Sequence, residues 1–261
     1  MAEAGKAEQA ADFLMAAWTA RRREPALPAG LAPTNEAEAA AICDAILAKN
    51  TRPIAGWKIG ATAIGAQKAL GLAGPFIGFI PEGVIDASGV AHAYADMMRP
   101  VIESEYAYRL KADLPARALP YTEDEVAGAV GSLMIGMEIP ESRLGEDHGL
   151  GPLSTVCDHG GTGRFVCGAE FTDWQAHDVT GQDVVLTFDG TEAGRGTGAP
   201  MMGHPFKALV WFVNHMGAKG VGMKAGQFVT TGSATGVIVL KHPAKCVADF
   251  GPLGQVAITF T

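Results

Sequence analysis

A chain of 261 residues, 48% hydrophobic and 18% charged, has ample material for a core, which excludes a disordered protein. A formal net charge of −8 supplies no basic face for phosphates and argues against nucleic acid as a partner. The 34 glycines follow no period, so collagen-like and linker structure are excluded and many tight turns are expected.

Met1 to Gln9 carry Glu3, Lys6 and Glu8 with no apolar stretch, so no signal peptide is visible. Later apolar runs are broken by charge or glycine before they reach membrane-spanning length, and the cytoplasm is the expected location. Residues 7–50 read as two helices. The first carries Ala10, Phe13, Leu14 and Trp18 at helical spacing and is closed by Arg21-Arg22-Arg23, ahead of the proline-rich turn Pro25 to Pro33. The second opens at Asn35, with Glu38 three residues on as a capping-box partner. Residues 1–53 thus form an N-terminal helical segment, and residues 54–261 one further structural unit.

From Ile54 the pattern changes to short β-like runs. Expected strands are Trp57–Gly60, Ile102–Leu110, Leu133–Ile139, Val184–Phe188, Phe228–Thr231, Val237–Leu240, Cys246–Phe250 and Val256–Phe260. Asp189-Gly190 marks a hairpin, Thr122 with Glu125 caps a short helix, and Pro205 opens a longer one through Leu209, Phe212, Val213 and Met216. Strands with a few helices laid on them make an α+β protein. Cys43, Cys157, Cys167 and Cys246 lie too far apart for a zinc motif or a disulfide framework.

Chemistry concentrates in a few segments. In Val101-Ile102-Glu103-Ser104-Glu105-Tyr106, strand alternation puts Glu103 and Glu105 on one face, about 7 Å apart. Glu138 sits in Leu133-Met134-Ile135-Gly136-Met137-Glu138-Ile139, apolar on both faces, where an ionised carboxylate needs a partner. Two readings stand: a buried salt bridge to Arg143 or Lys58, or an all-oxygen site for Mg²⁺ or Mn²⁺ built from the three glutamates. Lys58, in Gly56-Trp57-Lys58-Ile59-Gly60, is either a snorkelling lysine or a partly buried ammonium facing those carboxylates. Thr231-Gly232-Ser233 follows a strand and offers hydroxyls and backbone N–H groups to a carboxylate. Asp158 and His159 form either an acid–base pair or a polar loop.

These segments, in this order, resemble the fumarylacetoacetate hydrolase superfamily and within it the 2-oxopent-4-enoate hydratase/4-oxalocrotonate decarboxylase branch. The landmarks are Gly56-Trp57-Lys58-Ile59-Gly60, Glu103-Ser104-Glu105, Glu138-Ile139-Pro140-Glu141-Ser142-Arg143, Asp158, Arg164-Phe165-Val166-Cys167-Gly168, Gly203-His204-Pro205, Trp211-Phe212-Val213-Asn214, Met223-Lys224-Ala225-Gly226, Thr231-Gly232-Ser233 and Phe250-Gly251-Pro252-Leu253-Gly254. The resemblance implies a rolled mixed β-sheet and homo-oligomers built on dimers. It implies Mg²⁺ or Mn²⁺ on Glu103, Glu105 and Glu138, an active-site Lys58, and Thr231, Gly232 and Ser233 near the substrate carboxylate. It implies a hydro-lyase that adds water to a 2-hydroxy-2,4-dienoate, a small 2-oxo acid in its keto form, in aromatic or steroid ring-cleavage catabolism. The alternatives are a decarboxylase or C–C hydrolase on the same scaffold, or a non-catalytic partner subunit. Asp158 and His159 are the acid–base candidates beside Lys58. Three departures mark this chain: Pro75-Phe76-Ile77-Gly78 lacks the aspartate of hydrating relatives, Glu141 stands for the aspartate of V-D-S-R, and His159 for the asparagine of A-D-N.

Overall fold

The computed structural model describes residues 5–145 and 151–261. Helix α1 (Lys6–Thr19) buries Ala10, Ala11, Leu14 and Ala17. It stops before the arginine triplet, and Arg21 takes a left-handed φ of 47°. The triplet therefore lies past the helix end and not in its last turn. Asn35 caps α2 (Glu36–Lys49), accepting from the Glu38 N–H at 2.9 Å. The Glu38 carboxylate turns to Thr34 and Lys6, so the expected capping box stays half made. Both helices share one hydrophobic cluster with the strands, Leu14 and Ile42 joining Trp57, Phe79 and Tyr106.

The sheet residues follow in order. β1 (Ile54–Gly60) leads to α3 (Ile64–Leu70), then β2 (Phe76–Pro81), β3 (Ile85–Ala87), β4 (Val90–His92) and β5 (Val101–Leu110). A complete Thr122–Glu125 capping box opens α4 (Glu123–Ala129), which runs into β6 (Val130–Ile139). After α5 (Leu153–Cys157) come β7 (Arg164–Phe171) and the hairpin β8 (Val184–Phe188) and β9 (Thr191–Gly196). Asp189 and Gly190 both adopt positive φ, 49° and 80°, as the expected tight turn requires. His204 caps α6 (Pro205–Ala218), and the chain ends with β10 (Phe228–Ser233), β11 (Ile238–Val239), β12 (Ala244–Asp249) and β13 (Gln255–Phe260). The expected strand over Val237–Leu240 shrinks to the two residues of β11.

Among the described residues, the larger sheet runs β2-β1-β10-β5-β6-β7-β3, with β11 on β5. β1 with β10 and β7 with β3 are parallel and the other pairs along that path antiparallel, so the sheet is mixed. A second sheet runs β4-β13-β12-β8-β9. Helices laid on mixed sheets give the expected α+β class. Three strand spacings separate β1 from β6, about 14 Å on a flat sheet. Yet Lys58 of β1 touches Glu138 of β6. Side chains stand roughly perpendicular to a sheet, so this contact requires the sheet to curl around them. The inside of that curl is the site.

Candidate functional site

Two neighbouring strands, β5 and β6, carry the carboxylates of the floor. Glu103 and Glu138 face each other directly in the β5–β6 register, and Glu105, two residues along β5, shares the face of Glu103. One carboxylate oxygen from each of the three lies within 4.8 Å of the others. Like charges placed directly opposite on a sheet repel, so this register is costly unless a cation intervenes. Burial and the Glu138 charge push the Glu103 carboxyl up to about 7, and burial holds Glu105 well above the usual carboxylate range.

Lys58 provides one compensating charge. Its ammonium contacts the Glu138 carboxylate, and both side chains are nearly inaccessible. Three carboxylates against one ammonium leave two negative charges unbalanced. An all-oxygen donor set with that deficit fits a divalent cation and leaves room for further oxygen ligands. The Gly232 N–H donates to Glu105 at 2.8 Å, which fixes the carboxylate against the end of β10.

Two glycines make the space. Gly160 has φ +68°, and a Cβ there would come within 2.5 Å of Lys58 Cε. Gly232 has φ +112°, and its Cβ would meet Thr62 Oγ1 at 2.2 Å. Over the glutamates opens a cavity of about 290 Å³ whose wall includes Lys58, Thr62, Phe76, Thr155, Gly160, Gly232 and Ser233. Thr62, Thr155 and Gly160 escaped the sequence reading; only the doubled glycine at 160–161 offered a signal there.

Of the remaining candidates, Thr231, Asp158 and His159 do not line this cavity. Thr231 turns its hydroxyl to the Tyr106 carbonyl at 2.8 Å, away from the glutamates, while Gly232 and Ser233 do line the wall. Asp158, expected as an acid–base group, is held by Arg143: the guanidinium Nε donates at 2.7 Å and the Arg143 backbone N–H at 2.8 Å. Arg143 is thereby the partner of Asp158 and not of Glu138. His159 lies edge-on to Phe79, ring centroids 3.8 Å apart. Its Nδ1 meets Thr162 Oγ1 at 3.0 Å, and its buried Nε2 has no hydrogen-bond partner among the described residues. The same Thr162 hydroxyl also reaches the Phe79 carbonyl at 3.0 Å. Burial first, then the Arg143 charge, hold the imidazole well below its ordinary pKa, so it stays neutral behind the wall.

No family model matches the chain. Curated relatives do. A 2-hydroxyhexa-2,4-dienoate hydratase of Comamonas testosteroni is 31% identical over 210 residues, covering 80% of this chain and 78% of the relative. The chain is a member of the hydratase–decarboxylase branch of the fumarylacetoacetate hydrolase superfamily. A 2-keto-4-pentenoate hydratase of Burkholderia vietnamiensis is 29% identical over 212 residues, 81% of this chain and 80% of that one. The rolled fold of this superfamily member matches 4-oxalocrotonate decarboxylase of Pseudomonas putida G7, complexed with magnesium and adipate. There the TM-score is 0.87 at 22% identity, over 98% of this chain and 97% of the other. As the relatives are enzymes and the three glutamates converge under it, the glutamate cavity is the candidate active site.

Proposed function

We propose that this protein is a hydro-lyase that adds water to a 2-hydroxy-2,4-dienoate, using Mg²⁺ or Mn²⁺ held by Glu103, Glu105 and Glu138. One observation carries the reading: three carboxylates within 4.8 Å of one another, under a cavity, in a chain whose relatives include hydratases. When bound, the ion supplies Lewis acidity that stabilises negative charge developing on the 2-oxygen of the substrate.

The protein's own groups divide the rest of the work. Glu103, Glu105 and Glu138, brought together on β5 and β6, would hold the cation in their ionised form, the cation replacing the protons that burial and repulsion favour in its absence. Lys58 Nζ, clamped to Glu138 in the cavity wall, is the cationic group of the lining that can hold or relay a proton there. Gly232 and Ser233 at the end of β10 shape the wall beside Glu105, with Thr231 setting the backbone through its bond to Tyr106. Phe76 and the alanines of the wall exclude bulk water. The reaction balances without a redox partner: carbon 4 takes hydroxyl, carbons 3 and 5 each end with one more hydrogen, and the 2-enol becomes a ketone.

A decarboxylase is the second reading, favoured by Phe76, which puts an apolar ring on the cavity wall in a segment, Pro75-Phe76-Ile77-Gly78, that offers no aspartate. Incubating the purified protein with Mg²⁺ or Mn²⁺ and 2-hydroxypenta-2,4-dienoate, with products read by mass spectrometry, separates the two. A gain of water is expected. No gain of water, together with loss of CO₂ from a dienol carrying a vinylogous second carboxylate, would replace the hydratase by the decarboxylase. Homo-oligomers built on dimers and a cytoplasmic location complete the proposal. No helix among the described residues is long and apolar enough to cross a membrane.

A further inference from the structure

We infer that the cavity selects dienoates whose far end is an uncharged alkyl chain, and that Leu70 and Val237 are the residues that set this preference. The inference rests on the hydratase reading for the reaction but not for the shape of the site.

The cavity lining holds two unlike sets of residues. One is charged: Glu103, Glu105, Glu138 and Lys58. The other is apolar and includes Ala63, Ala66, Leu70 and Val237. Four large hydrophobic side chains stand exposed among the described residues, and two of them, Leu70 at 41% and Val237 at 68%, line this cavity. A third, Ile64 at 65%, opens the same helix as Leu70. Helix α3 buries none of its residues, so its apolar side chains are not committed to the core. An apolar rim continuous with a charged floor matches a substrate with an acidic head and an alkyl tail.

A second carboxylate finds nothing to pair with there. Among the described lining residues Lys58 is the only cation, and Glu138 already holds it. A tail carboxylate would lose its hydration beside the glutamates and gain no partner. The nearest alternative, an adjoining cavity of about 430 Å³ that includes Arg99, meets this one only at Pro140, Thr155 and Gly160 and contains none of the three glutamates.

The test uses the metal-loaded, full-length protein in two readouts. Calorimetric binding of unreactive 2-oxo acids compares 2-oxopentanoate, 2-oxohexanoate and 2-oxoheptanoate with 2-oxoadipate. In parallel, kcat/KM is measured for dienoates with the same tails. Each added methylene is expected to tighten binding and raise kcat/KM by about 3- to 4-fold, and the terminal carboxylate to weaken both by at least ~10-fold. Leu70→Ser and Val237→Ser should flatten the methylene series, and Val237→Lys should raise the ratio of carboxylate to alkyl tail by ~10-fold or more. Equal or tighter binding of 2-oxoadipate by the wild type overturns the inference, as does an unchanged series in both serine variants. Dissociation of the oligomer by Val237→Ser, seen by sedimentation, overturns it too, because the rim would then be a subunit contact. If no dienoate gains water while the 2-oxo acids keep the expected order, the reaction assignment falls and the shape of the site stands.

Discussion

Two buried ionic clusters sit a few residues apart in this fold, and they are built on opposite principles. Around Arg143, one guanidinium meets one carboxylate, and its remaining N–H groups reach the Thr162 and Asp158 carbonyls at 2.6 Å. Charge and hydrogen bonds both close. Around Glu138, three carboxylates share one ammonium, and two of them are forced toward protonation. A satisfied cluster holds structure, whereas an unsatisfied one waits for a ligand. The contrast explains why Asp158, although buried and titratable, reads as scaffold, and why the glutamates read as function.

The largest break in that contrast should come from Glu105→Gln. It is expected to cut metal-dependent turnover by more than ~100-fold while the metal-free protein melts no lower than wild type, since it removes repulsion. Retained turnover in steady-state assays would remove Glu105 from the site. Arg143→Ala should do the reverse to stability. It strands the Asp158 carboxylate and is expected to cost about 3–5 kcal/mol, seen as a lower denaturant midpoint.

A pH series sharpens the comparison further. The Glu103 carboxyl is raised from 4.5 to about 7, so the folded metal-free protein binds protons that the unfolded chain has released. Its contribution to stability is full below pH 4.5 and fades as pH rises through 7. Metal competes with those protons, so the melting-temperature gain on adding Mn²⁺ should be larger at pH 8 than at pH 5.5. An equal gain at both values would contradict the charge-deficit account. The smallest expected effect is that of Thr162→Val, which leaves His159 Nδ1 unpaired and should cost about 1–3 kcal/mol. The pH profile of kcat should not move, whereas a shifted profile would return His159 to the chemistry.

Much of the floor was legible in the sequence because it is local. Strand alternation placed Glu103 and Glu105 on one face, and an apolar run isolated Glu138. The salt-bridge and metal readings of Glu138 turn out to be compatible, since Lys58 takes one charge and leaves two. What stayed hidden was set by curl and by short elements. Nothing in Trp57-Lys58-Ile59 says that the sheet rolls until β1 reaches β6. Nor does Arg143 announce that it pairs with Asp158, fifteen residues on. Helix α3 spans only seven residues and buries none of them, and β3 and β4 hold three residues each. The rim of the cavity was therefore the part least readable from sequence.

The most direct test of the central claim is a titration of chelator-treated protein with Mn²⁺, following free ion by electron paramagnetic resonance. The account expects one ion bound per chain and binding lost in Glu105→Gln. Binding that survives this substitution unchanged, or no binding by the wild type, would contradict it.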